Sequence, residues 1–298
     1  SSPAAIESAA GSSTAADDGT AEAELKTRWR TYATADDELL DAVSRLYSEF
    51  RVSGAALSPD AKDQPSDRCC AAIENDVTRT FPQHPLFDAR VWRGRPEMHP
   101  AHSALRSLLL SYARRRPEVG YCQGMNMVAG FSLIVVGGEL EPALWLFDAV
   151  MSRCKLTKLF LRGLPLLPHI NQCISRALLV FCPNLASALD DVLLAGICNG
   201  WLLSVFCKPC FDPGFTRFVW ANLLSLSWRG LAVAAVYILR LHETDLLATE
   251  LDPCQVALVM GEQVSQVEKP SAATLDMWAQ CVATVCGEPE PEEVAAWE

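Results

Sequence analysis

An all-α fold is predicted for this chain of 298 residues, on three observations. Apolar residues recur three and four apart in nearly every segment after residue 24, the spacing of one buried helix face. Repeated apolar–polar alternation bounded by turns, which would mark strands, is absent. Prolines and glycines cluster at the borders of the periodic runs, where helices start or stop. A single large domain of roughly a dozen helices is expected, open to division into two helical subdomains.

Residues 1–24 are low in large apolar groups and rich in Ser, Gly and Ala, and read as a disordered low-complexity linker. Leu39, Leu40, Val43, Leu46, Tyr47 and Phe50 then form one apolar stripe. Residues 53–67 read as a polar loop. A short helix is expected from about Cys69 to Thr78, because Pro82 pushes Phe81 out of the α region and stops the helix at Arg79. Pro100 suits a first helical position, Leu105, Leu108, Leu109 and Tyr112 follow on one face, and Pro117 ends the run.

The next helix is expected to begin near Gly120–Gln123 and to carry Met127, Val128, Phe131, Ile134 and Val135 inward. Pro142 opens Ala143–Cys154, Pro165 and Pro168 precede Ile170–Phe181, and Pro183 opens Asn184–Ala195. Later runs cover Trp201–Phe206, Phe215–Leu226, Leu231–Leu241, Val256–Val267 and Ala273–Val285. Residues 287–298 read as a solvated acidic tail. No internal repeat of fixed period is found.

The formal charge of −11 is unevenly spread. Residues 1–24 hold five acids and no Lys or Arg, residues 25–241 are net +5, and residues 242–298 are net −11. A mildly basic body argues against a general nucleic-acid binder, which needs a strong basic face. It suits a protein partner whose contact surface carries phosphates or carboxylates. Many of the 12 cysteines lie inside apolar runs, as Cys122, Cys154, Cys173 and Cys198 do, so a reduced cytoplasmic compartment is expected. The first 24 residues lack the apolar core of a secretory signal. The longest apolar stretch, Leu231 to Leu239, is nine residues and too short to span a bilayer.

Two short segments carry the chemistry. Asp76 and Arg79 are three apart and share a helix face, so they can form a charge-assisted pair that leaves the guanidinium free to reach outward. Taken alone, the pair also reads as an ordinary surface ion pair. Gln123 lies between Gly120 and Gly124, where glycine lets the backbone approach a partner closely, and taken alone it also reads as a helix cap. An arginine can neutralise charge on a transferring phosphoryl group, and a glutamine can hold a water for in-line attack. The chain has both groups and no phosphate-binding loop of its own.

The stretches Ile73-x-x-Asp76-x-x-Arg79-Thr80-Phe81-Pro82 and Tyr121-Cys122-Gln123-Gly124-Met125-Asn126 resemble the two fingerprint motifs of TBC domains, the GTPase-activating domains for Rab GTPases. Leu105 to Tyr112 with Pro117-Glu118-Val119-Gly120 resembles the intervening helix and turn, while Trp201 to Cys207 and Arg217 to Trp220 resemble a third block. The likeness covers about residues 25–250, within a domain expected over 25–286 whose N-terminal subdomain runs to about 155. Two departures stand out. The usual Gly-Ile-Pro…Arg…Trp opening is missing before residue 69, which suggests an excised domain, and Ala221 stands where an Asp is usual, which removes a local ion pair.

The resemblance implies an enzyme activator with no nucleotide site of its own. Arg79 would be an arginine finger and Gln123 a glutamine finger, with Asp76 orienting Arg79 and Tyr121 holding the partner's switch region. Thr80, Gly124 and Asn126 would support the fingers or touch the partner. The implied partner is a Rab-family small GTPase in its GTP state, which would own both the GTP and the Mg²⁺; this chain would bind no cofactor or metal. A role in vesicle trafficking is implied, with recruitment to the cytosolic face of endomembranes through partners. The alternative is a non-catalytic GTPase-binding scaffold using the same surface. A thiol oxidoreductase built on Cys207 and Cys210 is disfavoured, because that Cys-x-x-Cys ends an apolar helix and does not follow a strand.

Overall fold

The computed structural model describes residues 22–24, 26–29, 37–52, 65–88, 90, 99–208, 210–250, 252–256, 260 and 264–287. Among them no strand occurs. The helices follow in chain order as α1 (Glu38–Val52), α2 (Asp67–Val77), α3 (Pro100–Arg115), α4 (Met125–Val135), α5 (Leu140–Arg153), α6 (Thr157–Phe160) and α7 (Leu166–Phe181). Then come α8 (Pro183–Ala188), α9 (Asp191–Leu202), α10 (Pro213–Leu226), α11 (Arg229–Leu241), α12 (Glu243–Ala248) and α13 (Leu275–Gly287), with a 3₁₀ turn at Val264–Gln266. Residues 22–24, 26–29 and 253–256 are also helical. Of the disorder expected over 1–24, the loop over 53–67 and the tail over 287–298, residues 1–21, 53–64 and 288–298 lie outside the described residues, while 22–24, Asp67 and Gly287 are helical where no helix was expected.

Two of these helices are apolar on nearly every side, so each must be surrounded. In α4 every residue except Met127 is buried, and it packs against α2, α3 and α5. In α11 Gly230 through Leu239 are all buried, enclosed by α7, α9, α10 and α13. The two groups are joined where α1 packs on α10 and where the rings of Phe131 and Trp220 meet at 4.8 Å. Trp29, fully buried, anchors the start of the domain against Tyr47 and donates its indole N–H to Glu139 at 3.1 Å.

Several boundaries differ from the periodicity. The run opened by Pro183 breaks at Leu189, which is extended, because the Asp190 carboxylate caps a new helix through the Leu193 N–H at 2.7 Å. The Trp201–Phe206 run is no helix of its own. Trp201 and Leu202 end α9, and Val205 and Phe206 turn left-handed with φ of +51° and +55°. That turn is held by the Phe206 N–H on the Trp201 carbonyl at 2.9 Å and by the Trp220 indole on the Val205 carbonyl at 3.1 Å. Pro168 lies inside α7, in the first turn, where its missing N–H would have had no helical partner. The Val256–Val267 run is described only in part, as helix to 256 and the 3₁₀ turn. Without an Asp at 221, Arg217 finds its carboxylate on Asp37, which also caps α1 through the Leu39 and Leu40 N–H groups.

Candidate functional site

Helix α2 is started by Ser66, whose hydroxyl accepts from the Cys69 N–H at 3.3 Å. It ends in a tightened turn: the Arg79 N–H reaches the Asp76 carbonyl at 3.1 Å and the Thr80 N–H reaches Val77 at 3.3 Å. Phe81 then leaves the right-handed region as its Pro82 neighbour requires, but enters the left-handed one at φ +46° instead of extending. Its ring packs on Phe87 and Phe87 on His102, so the turn is anchored to α3.

This places Arg79 outside and its restraint inside. The Arg79 side chain is 65% exposed and the Asp76 side chain 8%, and the guanidinium donates to Asp76 Oδ1. The other Asp76 oxygen accepts the Tyr121 hydroxyl at 2.5 Å. Burial first, then the hydrogen bond to Asp76 and the Asp76 charge, push the Tyr121 phenol far above its ordinary range, so it stays a protonated donor. Asp76 is thus a shared acceptor between the two motifs.

Gln123 is placed by its backbone. The turn after α3 closes with the Gly120 N–H on the Arg116 carbonyl at 2.8 Å, and α4 starts at Met125, with Gly124 as its N-cap residue. Gln123 is therefore not the cap, and its side chain is exposed and takes no hydrogen bond among the described residues. Gly124 has φ +106°, and a Cβ there would meet the Leu203 carbonyl oxygen at 2.3 Å. Only glycine satisfies both demands. The third block therefore supports the second by forming the floor under Gly124.

Thr80 and Asn126 lie under the surface, 0% and 7% exposed. Asn126 Oδ1 accepts the Gly124 N–H at 3.1 Å, Asn126 Nδ2 donates to Thr80 Oγ1 at 2.9 Å, and the Thr80 hydroxyl donates to the Asp76 carbonyl at 2.8 Å. Gly130 lets α4 approach this turn, since a Cβ there would stand 2.6 Å from the Thr80 methyl.

Arg79 and Gln123 line the same open groove of about 590 Å³ between α2 and the 119–123 turn. Its other wall residues on α2 include Arg68, Ala72 and Asn75, which sequence reasoning missed. Their signal was present: residues 68, 72, 75 and 79 repeat at helical spacing, so they share a face with Arg79. Cys207 and Cys210 are both free thiols, Cys207 buried and Cys210 exposed, and burial raises the Cys207 pKa well above its ordinary value. Cys207 is fully enclosed against the Trp220 indole at 3.1 Å, the setting of an unreactive packing residue.

The site belongs to an all-helical domain that presents an arginine and a glutamine from two buttressed turns on one groove. The family profile described as the Rab-GTPase-TBC domain matches residues 29–247, and the chain belongs to that family. A growth hormone-regulated TBC protein 1-A from Danio rerio is 39% identical over 83 residues, 28% of this chain and 21% of the relative. Its human counterpart, growth hormone-regulated TBC protein 1, is 37% identical over 83 residues, 28% of this chain and 22% of the relative. The matched part thus spans about a fifth of the length of these curated relatives. The solved RabGAP TBC domain of the Chlamydomonas flagellum has the same fold, with a TM-score of 0.56 at 18% identity over 92% of this chain and 85% of that one. No helix among the described residues is long and apolar enough to cross a membrane.

Proposed function

We propose that this domain accelerates GTP hydrolysis by a Rab-family small GTPase, acting on its GTP-bound state with Arg79 and Gln123 donated in trans. One observation carries the reading: Arg79 and Gln123, both exposed, line a single groove, and each is restrained from below. Arg79 would neutralise charge developing on the γ-phosphate, and Gln123 would orient the attacking water. Asp76 holds the guanidinium in place, and Tyr121 holds Asp76 and faces the partner's switch region. The partner brings the GTP and the Mg²⁺ in its own phosphate loop, so this chain contributes positioning and charge and no cofactor. Family membership supports this partner class, and with it a place in vesicle trafficking at the cytosolic face of endomembranes.

The test is single-turnover GTP hydrolysis by a panel of purified Rab GTPases, with the wild-type chain, Arg79→Ala and Gln123→Ala. Acceleration of at least one Rab that is lost with Arg79→Ala is expected. Acceleration that survives both substitutions removes the mechanism. A Rab that binds tightly with no faster hydrolysis would instead make this surface a scaffold.

A further inference from the structure

The two turns that carry Arg79 and Gln123 lie 44 residues apart in the chain, and two side-chain struts join them. The outer one, Tyr121 to Asp76, is half-buried and bears on the arginine through its carboxylate. The inner one is built on Asn126, and it bears on the backbone of both turns at once. Its oxygen holds the N–H of Gly124, the residue after Gln123, and its amino group holds Thr80, the residue after Arg79. Thr80 in turn fastens the Asp76 carbonyl that closes the arginine turn.

We propose that Asn126 is a positioning residue that sets the spacing between the two fingers, an inference that rests on the reading of Arg79 and Gln123 as acting together on a partner's GTP. Asn126 and Thr80 are buried, so neither touches that partner. The link needs an amide. Gly124 offers a donor, so the oxygen of Asn126 must face it, and this turns the amino group to Thr80, whose own hydrogen is committed to Asp76. Aspartate at 126 would present an acceptor to Thr80 and place a charge beneath the surface. Alanine would leave the Gly124 N–H and the Thr80 oxygen without their partner. In either case the continuous chain of hydrogen bonds from the Gly124 N–H through Thr80 to the Asp76 carbonyl is broken, since a Thr80 hydrogen turned toward an aspartate is withdrawn from Asp76, and groups that must meet one γ-phosphate from two sides lose registration, to which such reactions are steeply sensitive.

The test uses the full chain and a GTPase that the wild type accelerates. Asn126→Asp and Thr80→Val remove the link from its two ends, and Thr80→Ser keeps the hydroxyl. For both link-breaking variants a fall in kcat of about 10- to 100-fold is expected, with KM for the GTPase within about two-fold of wild type. In the Asn126→Asp background, Gln123→Ala should cost much less than it does in the wild type, while Thr80→Ser should retain at least half of the wild-type kcat. Circular dichroism and the melting temperature identify any variant that fails to fold, and the variant at the other end of the link then decides. Unchanged kcat in a folded link-breaking variant, or a change confined to KM, overturns the proposal even when Arg79→Ala is inactive. Undiminished activity of Arg79→Ala overturns the underlying reading instead.

Discussion

Arg79 follows the end of a helix and is restrained through its own side chain, whereas Gln123 precedes the start of one and is placed through its backbone. Asp76 grips the guanidinium, and Tyr121 grips Asp76. No such grip reaches the Gln123 side chain; the conformation of Gly124, the Leu203 carbonyl beneath it and Asn126 behind it decide where Gln123 sits. The difference fits the roles proposed for the two groups. A cation is attracted to a phosphate over some distance and needs a restraint on a long flexible stem, while a neutral amide must be delivered to one point. The arginine turn should therefore be sensitive to side-chain chemistry and the glutamine turn to backbone geometry.

The largest effect should come from Arg79→Ala, which removes the proposed finger and nothing from the core. A loss of about 10³-fold or more in stimulated GTP hydrolysis is expected, with an unchanged melting temperature. Arg79→Lys should recover little, because a point charge cannot reproduce the planar fork that Asp76 holds.

Gly124→Ala should break the other side of the comparison through stability. A side chain at φ +106°, directed at a backbone oxygen 2.3 Å away, has no room to relax. Destabilisation of about 2–4 kcal/mol in urea unfolding is expected, together with loss of whatever Gln123 contributes. A Gly124→Ala protein as stable as wild type would show that the close approach to Leu203 is dispensable.

Tyr121→Phe sharpens the comparison, because it loosens Asp76 without touching either finger. A fall in stimulated hydrolysis of about three- to ten-fold and a stability loss of about 1 kcal/mol are expected. The loss of rate should largely vanish when the same substitution is made in Arg79→Ala.

The smallest effect is on pH. Burial holds His84, His102 and His242 below the ordinary imidazole value of 6.5; Arg217 adds to this at His84, and His99 and Arg106 at His102. The unfolded chain therefore takes up these protons at higher pH than the folded one. Their contribution is fully present above about pH 6.5 and is lost as the pH falls through the depressed folded values. Urea midpoints at pH 7.5 and 5.5 should show lower stability at the acid value. Glu74, held below its ordinary 4.5 by the Arg106 hydrogen bond, does not titrate in that interval. Equal midpoints would show that the imidazoles can protonate in place.

Much of the helical layout is legible in the sequence. Apolar spacing placed α1, α3, α5, α7, α10 and α11 to within a few residues, because a helix buried on one face must repeat its apolar groups at that interval. The motif residues Asp76, Arg79, Tyr121 and Gln123 could be picked out by type and order. Periodicity failed where a local backbone event interrupts an unbroken apolar run: the Asp190 cap between α8 and α9, and the left-handed turn at Val205 and Phe206, both carry apolar neighbours that keep the helical rhythm.

The sequence by itself determined the helical class, the candidate residues and the lack of a phosphate loop, since these depend on residue type and spacing along the chain. Only the tertiary structure decided that Asp76 serves both motifs, that Asn126 and Thr80 tie the turns from beneath, that Arg217 reaches back to Asp37 and that Leu203 forms the floor under Gly124. Each of these joins residues 44 or more positions apart. Such contacts leave no periodic trace, because what brings them together is the packing of helices around α4 and α11 and not the local preference of any one segment.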